Sequence, residues 1–316
     1  MNYYQILKIT GIILLIFSLF ILIPISAAFF YGESIDNFLQ SFLIIFFVGL
    51  LAYFPNKKER SQIKIREGFL IVAIFWFVLS FFGAIPFLMD ESLEFSLVDA
   101  VFESASGWTT TGATVISNID NLNKPLLLYR QLLQWLGGIG IVVLVLAILP
   151  ILGVGGMYLY KAETSSPVKD NKLSPRITET AKSLWGVYIV LTIACAVLYK
   201  IAGMSYFDAI GHSFSTVSIG GFSTHDASIG FYSSDLIKII CMVFMFLSAL
   251  NFVLHFLFYK NKSLTVYTSN SEMKTFLLII IILLLLVTIF TAGGRAESLE
   301  NIDVIFHILS FATTSG

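Results

Sequence analysis

Three short strips rich in glycine, threonine and serine are the segments of this 316-residue chain whose residue types could do chemistry. They read SGWTTTGAT (106–114), STVSIGGFSTHD (215–226) and SFATTSG (310–316). Glycine permits backbone angles that turn successive carbonyl oxygens to one side, and nearby hydroxyl groups add ligands or hold the backbone. Rings of carbonyl oxygens can replace the water shell of a monovalent cation, which is otherwise very costly to bury. The strips therefore indicate cation coordination.

The strips recur in one arrangement, which indicates an internal repeat of about 100 residues. Aligning Gly112 with Gly220 and Gly316 makes Thr110 equivalent to two other residues, Ser218 and Thr314. An aspartate precedes each glycine by 12 or 13 residues; these are Asp99, Asp208 and Asp303. Capped outer loops with incidental glycines would explain one strip, but three strips in register favour a shared function.

A short helix is predicted before each strip. Leu97–Trp108 is helix-like, but about twelve residues cannot cross a membrane, so a re-entrant loop is expected. Such a helix directs its partially negative C-terminus at the strip, which suits a cation. One strip cannot surround an ion, whereas several strips around a central axis can.

The composition requires a membrane around these loops. Hydrophobic residues make up 57% of the chain, charged residues only 12%, and the mean hydropathy is +0.88. A soluble enzyme, a disordered chain and a nucleic-acid binder are therefore excluded. Seven apolar runs are long enough for membrane helices: 9–31, 38–54, 68–89, 131–160, 183–199, 239–259 and 275–294. These continuous runs predict an all-α polytopic membrane protein.

The charges predict an orientation with the N-terminus in the cytoplasm. If each run crosses once, fourteen of the 19 basic residues fall on the inner side, as the positive-inside rule requires. Fourteen of the 20 acidic residues then fall outside. The acidic outer face either attracts cations to a mouth or has no role, and the charges alone do not decide between these interpretations.

At this point the sequence resembles a known family. FESASGWTTTGAT and the two later strips resemble the selectivity strips of the Trk/Ktr/HKT superfamily of potassium transporters. QWLGGIGIVVL (134–144) and LYKAETSSPVKDNKLSPRITETAKSLW (159–185) are similar to its TrkH/TrkG group. The resemblance implies helix–pore-helix–filter–helix units, as in potassium channels, after a two-helix extension. It also implies potassium uptake through a channel-like pore in the bacterial cytoplasmic (inner) membrane.

The resemblance divides the chain into four parts: the extension 1–67, pore unit one 68–160, pore unit two 161–268 and a partial unit three 269–316. The family has four units, so we expect a C-terminally truncated chain whose third unit is incomplete and whose fourth is absent. The family also implies a homodimer within membrane lipid and a cytoplasmic nucleotide-sensing ring of the TrkA type. No cofactor and no nucleic acid is expected, and potassium is the transported ion.

By the same resemblance, potassium is bound by filter carbonyls of eleven residues. They are Thr110, Thr111, Gly112 and Ala113, then Ser218, Ile219, Gly220 and Gly221, then Thr314, Ser315 and Gly316.

Other residues support secondary expectations. Gly137, Gly138 and Gly140 are expected to allow close helix packing rather than flexing.

Glu103 could pair with Arg130, but exposure of its carboxylate to water at the mouth of the pore is the preferred interpretation. Two further residues on the second pore helix, Asp208 and His212, are spaced for a hydrogen bond rather than a metal site. The basic segment 161–182 could dock a partner or anchor to lipid headgroups, and the family resemblance favours the partner.

Two other classes of function remain open. An ion-coupled secondary transporter would show inverted repeats and interrupted spans, whereas these repeats run in one direction and the spans are expected to be unbroken. A non-conducting fragment or assembly subunit is the other alternative. The sequence contains no GxSxG, HExxH, Walker or Rossmann motif, so an enzyme is not predicted.

Overall fold

The protein is described by a computed structural model that covers residues 2–59, 65–152, 174–292 and 301–315, and this part of the chain is helical without strands. The helices of the N-terminal half are α1 (Tyr3–Tyr31), α2 (Asp36–Tyr53), α3 (Ile65–Phe82), α4 (Ile85–Leu88), α5 (Leu97–Trp108) and α6 (Lys124–Leu152). Those of the C-terminal half are α7 (Ser174–Ile201), α8 (Tyr206–Ser218), α9 (Asp235–Ala249), α10 (Phe252–Asn261), α11 (Thr265–Ser269), α12 (Ser271–Ala292) and α13 (Asn301–Thr313).

Five stretches in the described part are long and apolar enough to cross a membrane: Tyr3–Tyr31, Asp36–Asn56, Leu70–Leu88, Lys182–Ile201 and Ser271–Ile289. A sixth span results if the bent pair α9 and α10 is counted as one. The predicted run 131–160 lies on α6, but its last eight residues fall outside the described part. The expectation of an all-α, multi-pass membrane protein is confirmed.

Two predicted spans are broken, so the expectation of unbroken spans is wrong. The run 239–259 forms α9 and α10, whose axes differ by 92°. Asn251 caps α10 by accepting a hydrogen bond from the Val253 N–H at 3.1 Å, and His255 Nε2 lies 2.9 Å from the Leu247 carbonyl oxygen. In α6 the break is at Gly140, where φ is 54° and ψ is −154°.

The glycines of α6 have different roles. A side chain on Gly137 would overlap the Trp108 carbonyl oxygen at the end of α5, and one on Gly138 would meet Ser218 at the end of α8. The prediction of close packing is confirmed for these two residues. It is wrong for Gly140, whose surroundings are open and whose backbone forms the kink.

The core is divided between the two sides of α6. On one side, α1 and α3 surround α5, with the Trp108 ring 5.2 Å from the ring of Phe17 and 6.4 Å from that of Phe75. On the other side, α7 and α9 enclose α8 around buried residues that include the two free cysteines, Cys195 and Cys241. Each short helix is therefore held in a shell of longer helices.

The two ends of α1 contact different loops. At its start, Lys8 Nζ donates to the Glu59 carbonyl oxygen at 2.6 Å. At its end, the Lys124 ammonium lies 3.9 Å from the centre of the Tyr31 ring. Glu59 belongs to the loop predicted to lie inside, and Lys124 to the segment predicted to lie outside. The two therefore lie at opposite ends of a spanning helix.

Candidate ion-coordination site

The short helices α5, α8 and α13 end in the same way. In each, one of the first two residues after the helix has a positive φ. The backbone N–H of the following residue then donates to the carbonyl of a serine five residues earlier in the chain, as in a Schellman cap. The three hydrogen bonds are Thr111 to Ser106 at 2.9 Å, Gly220 to Ser215 at 2.9 Å, and Ser315 to Ser310 at 2.8 Å. One local geometry therefore starts all three strips.

These caps correct the register of the second strip by one residue. Positive φ angles occur at Thr110 (53°), Ile219 (57°) and Thr314 (60°), and again two residues later at Gly112 (80°) and Gly221 (82°). Thr110 is therefore equivalent to Ile219, not to the expected Ser218, and Gly112 is equivalent to Gly221, not to Gly220.

The third strip shares the details of the first. Thr109 Oγ1 lies 2.7 Å from Thr111 Oγ1, and Thr313 Oγ1 lies 2.7 Å from Ser315 Oγ. The second strip has Gly220 at the equivalent position and cannot make this hydroxyl pair. Gly316, the last residue predicted to bind potassium, lies outside the described residues.

The first two strips touch directly. A side chain on Gly112 would overlap the Gly220 carbonyl oxygen, and a side chain on Gly220 would overlap the amide of Gln134. The second and third strips share a cavity of about 50 Å³, whose lining includes Gly221 and Ser315. The three strips predicted from sequence are thus brought side by side.

Hydrogen bonds divide the predicted carbonyl ligands into two groups. Two carbonyl oxygens already accept side-chain bonds: that of Ala113 from Ser106 Oγ at 2.5 Å, and that of Gly220 from Gln134 Nε2 at 2.6 Å. Within the described residues, the other predicted carbonyls accept no hydrogen bond; they are those of Thr110, Thr111, Gly112, Ser218, Ile219, Gly221, Thr314 and Ser315. This second group is available to coordinate an ion.

Each pore helix also holds the far end of its own strip. In α5, the Glu103 carboxylate accepts from Thr114 Oγ1 at 2.9 Å. In α8, His212 Nε2 lies 2.9 Å from Ser223 Oγ. Glu103 and His212 occupy equivalent positions in the corrected register, as do Thr114 and Ser223, so a repeated contact uses different chemistry in each unit.

The expectation that Glu103 faces water is wrong. Its carboxylate forms a salt bridge with Arg130 Nε at 2.9 Å, and both side chains are fully buried. Arg130 also donates to the Thr114 hydroxyl and to the Ser223 carbonyl oxygen, both at 3.1 Å. Each of these buried charges would be very costly in free energy without the other, so removing one partner alone should destabilise the fold. The pair also links the first strip to the second.

The expected contact between Asp208 and His212 is present in a different form. His212 Nδ1 lies 3.0 Å from the backbone carbonyl of Asp208, while the Asp208 carboxylate accepts from Ser205 and Thr224 at 2.7 Å each. No group of three or more potential metal ligands occurs among the residues that the structure describes.

Beyond the strips, a polar clamp joins the two outer loops. Asp120 Oδ1 lies 2.6 Å from His225 Nδ1, and the Asp226 carboxylate accepts from the Ile119 and Asp120 N–H groups at 3.0 and 3.3 Å. The hydrogen bond from His225 lowers the pKa of Asp120 below its ordinary value. The clamp therefore favours the ionised form of the Asp120 carboxylate.

Comparison with known proteins identifies the family. The family model TrkH, described as "Cation transport protein", matches residues 34–314. The chain is 47% identical over its whole length to the Trk system potassium uptake protein TrkH of Halomonas elongata, and 46% identical to that of Escherichia coli. It spans 66% of the length of both relatives.

A solved structure agrees with this assignment. The crystal structure of the potassium transporter TrkH from Vibrio parahaemolyticus superposes with a TM-score of 0.85 at 42% sequence identity. The match covers 99% of the present chain and 64% of that protein.

Proposed function

The chain belongs to the TrkH family of cation transport proteins, and from this premise we propose that it forms part of a potassium uptake pathway across the bacterial cytoplasmic membrane. The pathway is channel-like, and backbone carbonyls of the strips replace the hydration shell of the ion. The observation that carries the proposal is a set of carbonyls that accept no hydrogen bond from the described residues, on three neighbouring strips with the same cap.

The eleven predicted filter residues then divide by role. Carbonyls that accept no hydrogen bond coordinate the ion, with Gly316 as the expected last member of the third strip. Ala113 and Gly220 serve differently, because Ser106 and Gln134 already bind their carbonyls. Their role is to fix the shape of the strips.

The unit boundaries expected from sequence are part of this proposal. Unit one, 68–160, includes α3 from its fourth residue onward and α4 to α6, and unit two, 161–268, includes α7 to α10 and α11 except its last residue. Unit three begins at 269 and contains α12 and α13, while 1–67 forms the extension that packs on unit one. In each unit a long helix, a short capped helix and a strip follow one another.

The wider assembly is part of the same proposal. We infer a homodimer in the lipid bilayer with the N-terminus in the cytoplasm. The basic segment 161–182 is the proposed docking site for a cytoplasmic nucleotide-sensing ring of the TrkA type, and its first thirteen residues lie outside the described part.

Two alternatives stand beside this proposal. The breaks at Gly140 and between α9 and α10 favour ion-coupled transport, because broken helices are typical of secondary transporters. A non-conducting fragment or assembly subunit is the other alternative, and the uptake assay below tests it.

Rubidium uptake into proteoliposomes separates these functions. We compare the 316-residue chain with the same chain joined to the C-terminal third of the Escherichia coli relative. Potassium-competed uptake by the joined chain that needs no sodium or proton gradient is the expected result. Dependence on such a gradient would support coupled transport. A folded joined chain without uptake would contradict the proposal.

A further inference from the structure

Gln134 contacts the second strip with both ends of its side-chain amide. Its Nε2 donates to the Gly220 carbonyl oxygen at 2.6 Å, and its Oε1 accepts from the Phe222 N–H at 2.9 Å. The side chain is fully buried at 0% exposure, so water cannot replace either bond. A two-point contact of this kind fixes the rotation of the backbone between the two bonded groups.

The residue between these groups is Gly221, and its carbonyl direction follows from the contact. In a planar trans peptide the C=O and the N–H point in opposite directions. Because the Phe222 N–H points at Gln134, the Gly221 carbonyl must point away from α6. That carbonyl accepts no hydrogen bond within the described residues, and the φ of 82° at Gly221 is one that glycine adopts readily.

The neighbouring turn of α6 extends the same support. Arg130 lies four residues before Gln134 and donates to the Ser223 carbonyl oxygen at 3.1 Å. The two side chains thus hold the second strip at consecutive points from a helix of the first unit. The absence of a side chain at Gly220 also follows, since any Cβ there would collide with the Gln134 amide.

We propose that Gln134 is a positioning residue that sets ion selectivity by aiming the Gly221 carbonyl into the pathway. The inference rests on the proposed potassium function. Without the amide, the peptide between Gly221 and Phe222 can rotate, and its carbonyl no longer holds a fixed distance to the ion. In the snug-fit account of selectivity, a filter that adapts its ligand distances discriminates poorly between potassium and sodium.

Gln131 provides a matched control on the same helix. Its side chain is also fully buried, but its amide nitrogen and oxygen have no hydrogen-bond partner in the described part of the chain. We compare Gln134→Glu with Gln131→Glu, and Gln134→Met with Gln131→Met. Within each pair the chemical change is the same, but only the residue at position 134 forms hydrogen bonds with the second strip. The joined chain is used, and the readout is rubidium uptake in competition with sodium.

We expect both Gln134 variants to lose about tenfold in rubidium-over-sodium preference, while the Gln131 variants stay within about twofold. An unchanged preference with slower uptake would overturn the inference, because it would show a merely structural role. Failure of both Gln134 variants to fold, with folded Gln131 variants, would overturn it in the same way. Absence of uptake by the unsubstituted protein would contradict the proposed function instead.

Discussion

Neighbouring glycines of the second strip are needed for different physical reasons. Gly221 has a positive φ, whereas Gly220 does not and is small because the Gln134 amide fills the space of a side chain. Gly112 meets both conditions, since its φ is 80° and it touches the Gly220 carbonyl. A substitution at each position therefore disturbs a different contact.

Gly220→Ser should let sodium compete with rubidium uptake. The new side chain displaces Gln134 and frees the strip, so we expect a loss of selectivity of about tenfold or more. Uptake assays with sodium competition in the joined chain measure it. Gly230→Ser is the control, because Gly230 has no atom near its Cβ position and no positive φ. Unchanged preference at position 220 would remove this residue from the filter assignment.

The buried pair of Glu103 and Arg130 should behave as one unit. Glu103→Gln leaves Arg130 buried without its counter-charge, and we expect a loss of roughly 3–5 kcal/mol in the free energy of unfolding. The double variant Glu103→Gln/Arg130→Gln should lose less than the sum of the single changes. Unfolding in detergent by denaturant measures all three.

The exposed Asp235 is the control for this cycle. Its carboxylate lies 3.8 Å from Nζ of Lys238, which bonds more closely to Asp303 at 2.6 Å, so Asp235→Asn should cost less than about 1 kcal/mol. Additive losses for the Glu103 and Arg130 changes would contradict the coupling.

Residue-level prediction failed where the deciding contact is distant in sequence. Glu103 looked like a surface acid because its buried partner Arg130, 27 residues later, comes to it only in the folded chain. The register of the second strip was predictable, however. Asp208 lies 13 residues before Gly221, as Asp99 lies 13 before Gly112, and this equal spacing identifies the equivalent glycine.

At the scale of elements, the two complete units break their second helices at the same place. Gly140 lies 28 residues after Gly112, and Ala249, the last residue of α9, lies 28 residues after Gly221. Hydropathy could not show this, because the run 239–259 contains no Asp, Glu, Lys or Arg and has the hydropathy of one continuous span. The only local signal is Asn251, a capping residue type inside that run.

Gly140→Ala should destabilise the protein. A φ of 54° with a ψ of −154° lies near a region that only glycine adopts readily, and forcing another residue there costs roughly 1–3 kcal/mol. Gly186 is the matched control, since it lies in α7 with nothing near its Cβ position. Gly186→Ala should stabilise by roughly 0.5–1 kcal/mol through helix propensity. Shifts of opposite sign in the thermal midpoint are expected, and equal shifts would contradict a kink at Gly140.

At the scale of the whole molecule, the fold was largely predictable because continuous apolar runs can satisfy their backbone in lipid only as helices. The short helices were predictable from their length and their ends. For example, α5 is too short to span the membrane and ends at a glycine-rich strip. Side chains that connect units, such as Gln134, were not predictable. Their partners are determined by how the helices assemble, which no single run of residues specifies.

The orientation predicted from the charge distribution is testable by labelling. The chain has only two cysteines, and both are buried, so single cysteines on loops can be labelled with little background. Lys57 and Glu91 are exposed and belong to segments predicted to lie on opposite sides of the membrane. A membrane-impermeant maleimide added to intact cells should label Glu91→Cys, but Lys57→Cys only after permeabilisation. Basic loops stay on the cytoplasmic side and so set the topology. The reverse labelling pattern would therefore contradict the predicted orientation and would mean that the strips lie on the cytoplasmic side.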